Sequence, residues 1–292
     1  MTTRVAGAFA GIEWLKNAIG LIGRRPGALI GAGALMLAVF LMPSLVTVPM
    51  QMMAPNNMAV FFGTLALSMI AGLLLAPVTA GYLQVIDKVA RDESVRAIDI
   101  FGLYRNGGAG RIIGLAIVML IAIVALFAIV LGVVGAGVWQ WYITMATQPQ
   151  SVAGAGLPAG FFTVIALCVV LGMFTGGVSA LAYGQVALAD RGILGALGDG
   201  VAGTLKNVVA LVVLLTTSVV LGILAAIVIG ICFALLGLLS KLVGAWLMVL
   251  VIPLYLALML AMYPLMFGVM YYFWRDVCGH ARPSAPMGQA IA

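Results

Sequence analysis

The stretch from Asn207 to Leu235, NVVALVVLLTTSVVLGILAAIVIGICFAL, decides the fold. It holds no Asp, Glu, Lys, Arg or His, and its hydroxyls are confined to Thr216, Thr217 and Ser218. A bilayer's hydrocarbon core is about 30 Å thick, so a helix rising 1.5 Å per residue crosses it in roughly 20 apolar residues. Five further stretches meet the same condition: Gly27 to Met50, Met58 to Val85, Ile112 to Val138, Leu157 to Ala189 and Leu242 to Trp274. None carries an ionisable residue of those five types. Transmembrane strands would alternate apolar and polar residues over about ten positions, and these continuous runs of Leu, Val, Ile, Ala and Gly do not. The sequence therefore predicts an all-α polytopic membrane bundle, six transmembrane helices arranged as three hairpins in a single integral membrane domain. The fourth and sixth runs exceed the minimum length and are expected to tilt or to extend beyond the bilayer.

Composition agrees. Of 292 residues, 65% are hydrophobic and 8% charged, against roughly 45–50% and about 25% in soluble domains. The few charges are unevenly placed. Arg4, Lys16, Arg24 and Arg25 precede the first span; Lys88, Arg91, Arg96, Arg105 and Arg111 follow the second; Arg191 and Lys206 follow the fourth; Arg275 and Arg282 follow the sixth. Only Lys241 falls in an alternate loop, a split of 13 to 1 among the 14 Lys and Arg. Positive loops stay inside, so both termini are expected in the cytoplasm. Glu13 and Lys16 interrupt the apolar run that a cleavable signal peptide would need. Rings fall where interface anchors would: Trp139, Trp141, Tyr142, Phe161 and Phe162 at the outer boundary, and Tyr82, Tyr183, Tyr271, Tyr272 and Trp274 at the inner one.

The chain reads as one unit used three times: a short cytoplasmic segment, a basic residue at the membrane edge, then a two-span hairpin. In the first, Val5, Ala8, Ile12, Leu15, Ile19 and Ile22 recur at helical steps opposite Glu13, Lys16, Asn17, Gly20 and Arg24. That pattern predicts an amphipathic helix lying in the headgroup region, ended by Arg24-Arg25-Pro26. The second runs from Ser94, read as the N-cap, through Val95, Ile98 and Phe101, and Arg111 opens the next span. The third sets Leu194, Leu197, Val201 and Leu205 on one face and ends at Lys206; its five glycines make it the weakest helix of the three. Returning spans share a spacing, Pro77-Gly81-Asp87 and Ala180-Gly184-Asp190, begun again by Pro264-Gly268. Each unit has an even number of spans, so the copies run parallel in a pseudo-threefold arrangement rather than as inverted repeats.

With Gly11-Ile12-Glu13-Trp14-Leu15, Gly20-Leu21-Ile22, Arg24-Arg25-Pro26, the Pro77-x-x-x-Gly81 span end and Asp99-Ile100-Phe101, the chain resembles a family of uncharacterised six-span inner-membrane proteins of proteobacteria. The resemblance covers most of the chain. It implies an inner-membrane location and carries no activity or functional residues with it.

Chemistry-bearing patterns are few. His280 stands alone, with no second ligand at zinc spacing. Cys168, Cys232 and Cys278 lie in span four, span five and the tail and imply no disulfide framework. Gly198-Asp199-Gly200-Val201-Ala202-Gly203 matches a dinucleotide fingerprint literally, but that motif works between a strand and a helix, and here membrane spans flank it. Asp87-Lys88-Val89-Ala90-Arg91-Asp92-Glu93 could bind a cation or a headgroup, although such a run more often is a solvated connector. Polar residues inside the spans, Thr216, Thr217, Ser218, Gln84 and Gln185 among them, serve helix packing or line a pathway. Pro43, Pro77, Pro253 and Pro264 remove backbone hydrogen bonds within spans, and two of them leave span six open to a break.

No cofactor, metal or nucleic-acid partner is expected. The functional expectation is a non-catalytic inner-membrane accessory, scaffold or lipid-interacting protein, with Lys16, Arg24, Arg25, Arg111, Lys206 and Arg275 against anionic headgroups, and with a membrane protein or a second copy as a further partner. The alternative is a transporter or channel for a neutral or amphiphilic solute or lipid. Ion coupling is disfavoured, because no carboxylate lies within the spans.

Overall fold

Two prolines shape the first span. Pro26 sits at the first helical position, where its missing N–H is not needed, and Pro43 divides the span into α2 (Pro26–Leu41) and α3 (Ser44–Met53). The computed structural model describes residues 3–54, 57–147, 156–158, 160–244, 249 and 251–279. No strand occurs among them. Ahead of the first span lies α1 (Ala10–Arg24). Span two is α4 (Met58–Ala90), capped by Asn57, whose side chain accepts from the N–H groups of Ala59 and Val60. A 3-10 turn (Ala97–Phe101) and one helical turn, α5 (Gly102–Arg105), lead to span three, α6 (Ala109–Val134), continued by α7 (Ala136–Thr147). Then come span four, α8 (Phe161–Leu188), the short α9 (Ile193–Lys206), span five, α10 (Val208–Val243), and span six, α11 (Val251–Val277). Six of these stretches are long and apolar enough to cross a membrane. The protein is thus an all-α polytopic membrane bundle.

The helix ends differ from expectation. Span five runs on to Val243, and span six begins at Val251 rather than Leu242. Pro253 therefore lies in the first turn of α11, and the helix passes Pro264 unbroken. Ser94 is not a cap. Arg96 holds that position, and its N–H donates to Asp99 Oδ2 at 3.1 Å. The glycine-rich third segment, expected to be the weakest, is a full helix of 14 residues, whereas the second is little more than a 3-10 turn.

The core explains α9. Its buried residues are Ala196, Asp199, Gly200, Gly203 and Thr204. A Cβ on Gly200 would meet the Val178 carbonyl oxygen at 2.9 Å, and one on Gly203 would meet Leu181 Cδ1 at 2.5 Å. Glycine's usual cost in a helix is outweighed by backbone contact with span four. Of the apolar face, Leu194 is 82% exposed and Val201 and Leu205 are also exposed, whereas Leu197 is half-buried against the core. α1 behaves alike: Gly11, Trp14, Leu15, Ala18 and Leu21 are buried, while Ile12 and Ile19 point outward beside the polar sector; Val5 and Ala8, expected on the same face, precede the helix and are exposed.

Packing is concentrated at one end of the bundle. There α1 packs on α11, the 3-10 turn on α4, and α9 on α8, so each segment lies against a returning span and the last span meets the first segment. Around them Leu29, Val78, Tyr82, Ile86, Leu181, Phe267, Tyr271 and Trp274 are buried in one cluster. Tyr82, Tyr271, Tyr272 and Trp274, read as an interface belt, are core residues instead. Their ring partners come from other hairpins or the same helix, as with Tyr82 and Phe267 at 5.0 Å between centroids and Tyr271 and Tyr272 at 5.3 Å. At the other end Trp139, Tyr142 and Phe162 are exposed, as anchors would be. The most apolar window of α10 has none of its residues buried.

Candidate functional site

The polar groups of the packed end are brought together by the last turns of the returning spans. Asp87 belongs to the final turn of α4, not to a loop, and is buried. Arg91, one turn on, donates to it from Nε at 3.1 Å and Nη2 at 2.5 Å, and the Tyr271 hydroxyl of span six donates to Oδ1 at 3.0 Å. The carboxylate joins two hairpins, and the expected solvated connector is corrected at this residue.

Beside it opens a cavity of about 540 Å³ between the end of α4, the segment from Asp99 to Asn106, and Ala187 and Leu188 at the end of span four. Lys88 Nζ reaches Asp99 Oδ2 at 3.4 Å, Arg105 Nη2 stands 4.0 Å from Asp99 Oδ1, and Arg91 Nη1 stands 4.0 Å from Glu93. Gln84 spans the floor, its amide donating to the Ala187 carbonyl at 3.0 Å. The Asp99 carboxyl is held below its ordinary value, first by the Arg96 N–H and then by Lys88 and Arg105, with partial burial opposing them. A folded pKa below the unfolded one, about 3.9, gives stabilisation that is complete above the unfolded value and is lost as pH falls through the folded one. Melting temperatures of the wild type and Asp99→Asn should differ at pH 7 and draw together as pH falls below the ordinary carboxylate range; a gap unchanged by pH would refute this.

A second centre lies at span four. Gln185 is fully buried and donates from Nε2 to Asp199 Oδ2 at 2.9 Å; Arg191 Nε donates to the same oxygen at 3.2 Å. The literal dinucleotide pattern at Gly198–Gly203 is thus a helix-packing surface whose carboxylate is occupied. Burial, with the Asp199 charge adding to it, pushes the nearby Cys278 thiol up to about 11. Since the thiolate is the nucleophile, iodoacetamide at pH 8 should alkylate Cys278 at least about tenfold more slowly in the folded protein than after denaturation, measured by peptide mass spectrometry. Equal rates would contradict this burial.

Basic residues at the start of each odd span clamp the chain that follows the returning span. Arg25 donates to the Asp92 carbonyl at 3.0 Å. Arg111 donates to the carbonyls of Asp190 at 2.9 Å and Arg191 at 2.8 Å, and pairs with the Asp190 carboxylate. Asp92 and Asp190 both adopt positive φ, at 58° and 56°, the left-handed conformation Asp tolerates better than most residues. At the third site Lys206 holds Thr3, with its carbonyl at 3.3 Å and its hydroxyl at 2.9 Å. Asn207 accepts from the Ala6 N–H at 2.6 Å and donates to the carbonyls of Arg4 at 3.0 Å and Gly203 at 2.8 Å. The Arg4 N–H in turn donates to the Val277 carbonyl at the end of span six.

The remaining sequence candidates are scattered. Lys16 and Arg24 are exposed, the latter 3.9 Å from Asp92. Arg275 lies over the ring of Tyr272, 4.5 Å from its centroid. Thr216 and Ser218 are exposed on α10 and Thr217 is half-buried, so they are not gathered with Gln84 and Gln185. Sequence reasoning missed the Trp14–Asp276 hydrogen bond at 3.0 Å and the whole role of Asn207. Among the described residues no group of three or more His, Cys, Asp and Glu is placed to hold a metal. The arrangement ties helices together, and its open chemistry is the charged cavity. Comparison with protein-family models, with curated proteins and with solved structures finds no match for this chain.

Proposed function

We propose that this is a non-catalytic protein of the bacterial inner membrane, both termini cytoplasmic, acting as an accessory, scaffold or lipid-interacting component. The observation that carries the reading is the filling of the packed end: Tyr82, Phe267, Tyr271 and Trp274 occupy its centre with Trp14 and Phe273 beside them, all buried. Bulky rings in close contact leave that end a support surface rather than a passage. The packed end also carries the basic residues, so the positive-inside rule makes it the cytoplasmic face. Outward Ile12 and Ile19 on α1, and Leu194, Val201 and Leu205 on α9, suit seating in the headgroup layer. Lys16 and Arg24, exposed beside them, would attract anionic lipid by roughly 1 kcal/mol each.

The three-unit repeat belongs to this reading. Each segment lies against a returning span, and Arg25, Arg111 and Lys206 each hold the chain leading into the next segment. In the third unit that chain is the N-terminal segment Thr3 to Ala6, which also bonds Val277 at the end of span six.

A transporter of a neutral or amphiphilic molecule is the second reading. It is favoured by Thr216 and Ser218, exposed on the outer side of α10, where a lipid could travel along the protein. Crosslinking of intact membranes followed by affinity purification separates the two: a stoichiometric partner or defined homo-oligomer is expected, and a lone chain would count against the scaffold. Orientation has its own check. A cysteine at Gln148, which lies outside the described residues, should label from outside the cell, and one at Arg96 should not; the reverse pattern would overturn the topology.

A further inference from the structure

We propose that the cavity between the end of span two, the Asp99–Asn106 segment and span four binds a phosphate ester carrying an amine, phosphoethanolamine being the simplest such group. Its volume, about 540 Å³, is that of a small-molecule site. Its walls hold three cations, Lys88, Arg91 and Arg105, and three carboxylates, Asp87, Glu93 and Asp99, a formal sum of zero on a chain whose total is +6. A neutral cavity of mixed sign suits a neutral ligand of mixed sign better than a simple anion or cation.

The bonding within the cavity decides which groups can take part. Asp87 is committed to Arg91 and Tyr271. By contrast, Arg105 and Asp99 stand 4.0 Å apart, as do Arg91 and Glu93, too far for hydrogen bonds. Lys88 makes one long contact at 3.4 Å and has two further N–H groups. Arg105, 62% exposed, has its whole guanidinium fork to offer. A phosphate bridging Arg105 and Lys88 would exchange these long pairs for short, charge-assisted bonds, bidentate from the arginine. Glu93, 52% exposed and loosely paired, is the acceptor for the ligand's ammonium. Leu188 supplies an apolar wall on the span-four side.

The site lies at the end of two spans, where headgroups sit, so the ester could arrive on phosphatidylethanolamine or as a soluble molecule. The proposal stands on the cavity alone: a scaffold and a transporter with these walls would bind the same group, and flux measurements do not bear on it.

The test uses the full chain purified in detergent. One arm titrates O-phosphoethanolamine; the other measures by native mass spectrometry the retention of phosphatidylethanolamine against phosphatidylglycerol. Both are repeated on Arg105→Glu and on Lys241→Glu, a charge-matched change in the last turn of α10, outside the cavity lining. Saturable binding is expected in at least one arm, weakened at least about tenfold by Arg105→Glu and unchanged by Lys241→Glu, with all three proteins unfolding cooperatively. Binding in the lipid arm alone identifies the source as a membrane lipid; binding in the soluble arm alone identifies a free ester. Absence of binding in both arms, equal retention of the two lipids together with no soluble binding, or identical behaviour of the two variants would overturn the proposal.

Discussion

Gly81→Ala is expected to destabilise the protein by about 3 kcal/mol, the upper end of the range for overpacking, while Gly72→Ala on the same helix changes stability little. A Cβ on Gly81 would overlap the backbone carbonyl oxygen of Ile100 and approach its carbonyl carbon to 2.7 Å. The obstacle is main chain, held in the 3-10 turn by the Asp99–Arg96 cap, so no side-chain rotation relieves it. Gly72 has nothing within 4 Å of the same position. Thermal unfolding in detergent measures both. Gly268, whose Cβ would meet Ala18 Cβ at 2.9 Å and Ala18 Cα at 3.2 Å where span six packs on α1, occupies the corresponding place; no rotamer relieves that contact either, and its milder overlap should give a smaller loss in the same direction. Equal melting temperatures for the two α4 variants would mean that span two does not rest on the 97–101 turn.

Asn207→Ala should cost about 2–3 kcal/mol and release the N-terminal segment Thr3 to Ala6. The amide serves the Ala6 N–H and the carbonyls of Arg4 and Gly203 from a position that is buried, and each buried polar group left unpaired costs about 1–3 kcal/mol. Two readouts apply: the melting temperature, and the rate at which protease cleaves after Arg4. Lys206→Gln, removing an exposed contact to Thr3, should have a smaller effect on both. A stable Asn207→Ala variant with a protected N-terminus would show that the segment is held by Val277 and Lys206 without the amide.

Six spans were legible because the bilayer imposes a length and an apolar composition that no tertiary contact alters. Span ends were not. Leu242 looks like a beginning, yet α10 continues through Lys241, whose long side chain can reach water from a helix end. Side was also illegible for large residues. Tyr82, Tyr271, Tyr272 and Trp274 have the composition of an interface belt, and only the arrival of other hairpins buries them. In α9 the glycines were read through their helix propensity, while contact with span four dominates. Leu194, Val201 and Leu205 do share a face, as their spacing says, but it faces outward.

Polar sites divide in the same way. Asp87 and Arg91 could be paired from their spacing of one turn, but Tyr271 lies 184 positions away. The Asn207 partners stand about two hundred residues back, at the other end of the chain. Arg25, Arg111 and Lys206, the basic residues read at the membrane edge, are found as clamps on carbonyl groups. Gln84 and Gln185 matter at the packed end, and the Thr216–Ser218 cluster, the most conspicuous polar run in the deciding stretch, lies apart from both centres.

On the proposed reading, the aromatic filling of the packed end makes this protein a membrane support rather than a conduit. Reconstitution of the purified protein into liposomes checks this, with efflux of trapped neutral solutes and lipid scrambling measured against empty liposomes. Rates indistinguishable from the empty control are expected. Reproducible flux or scrambling that scales with the amount of protein would contradict that reading.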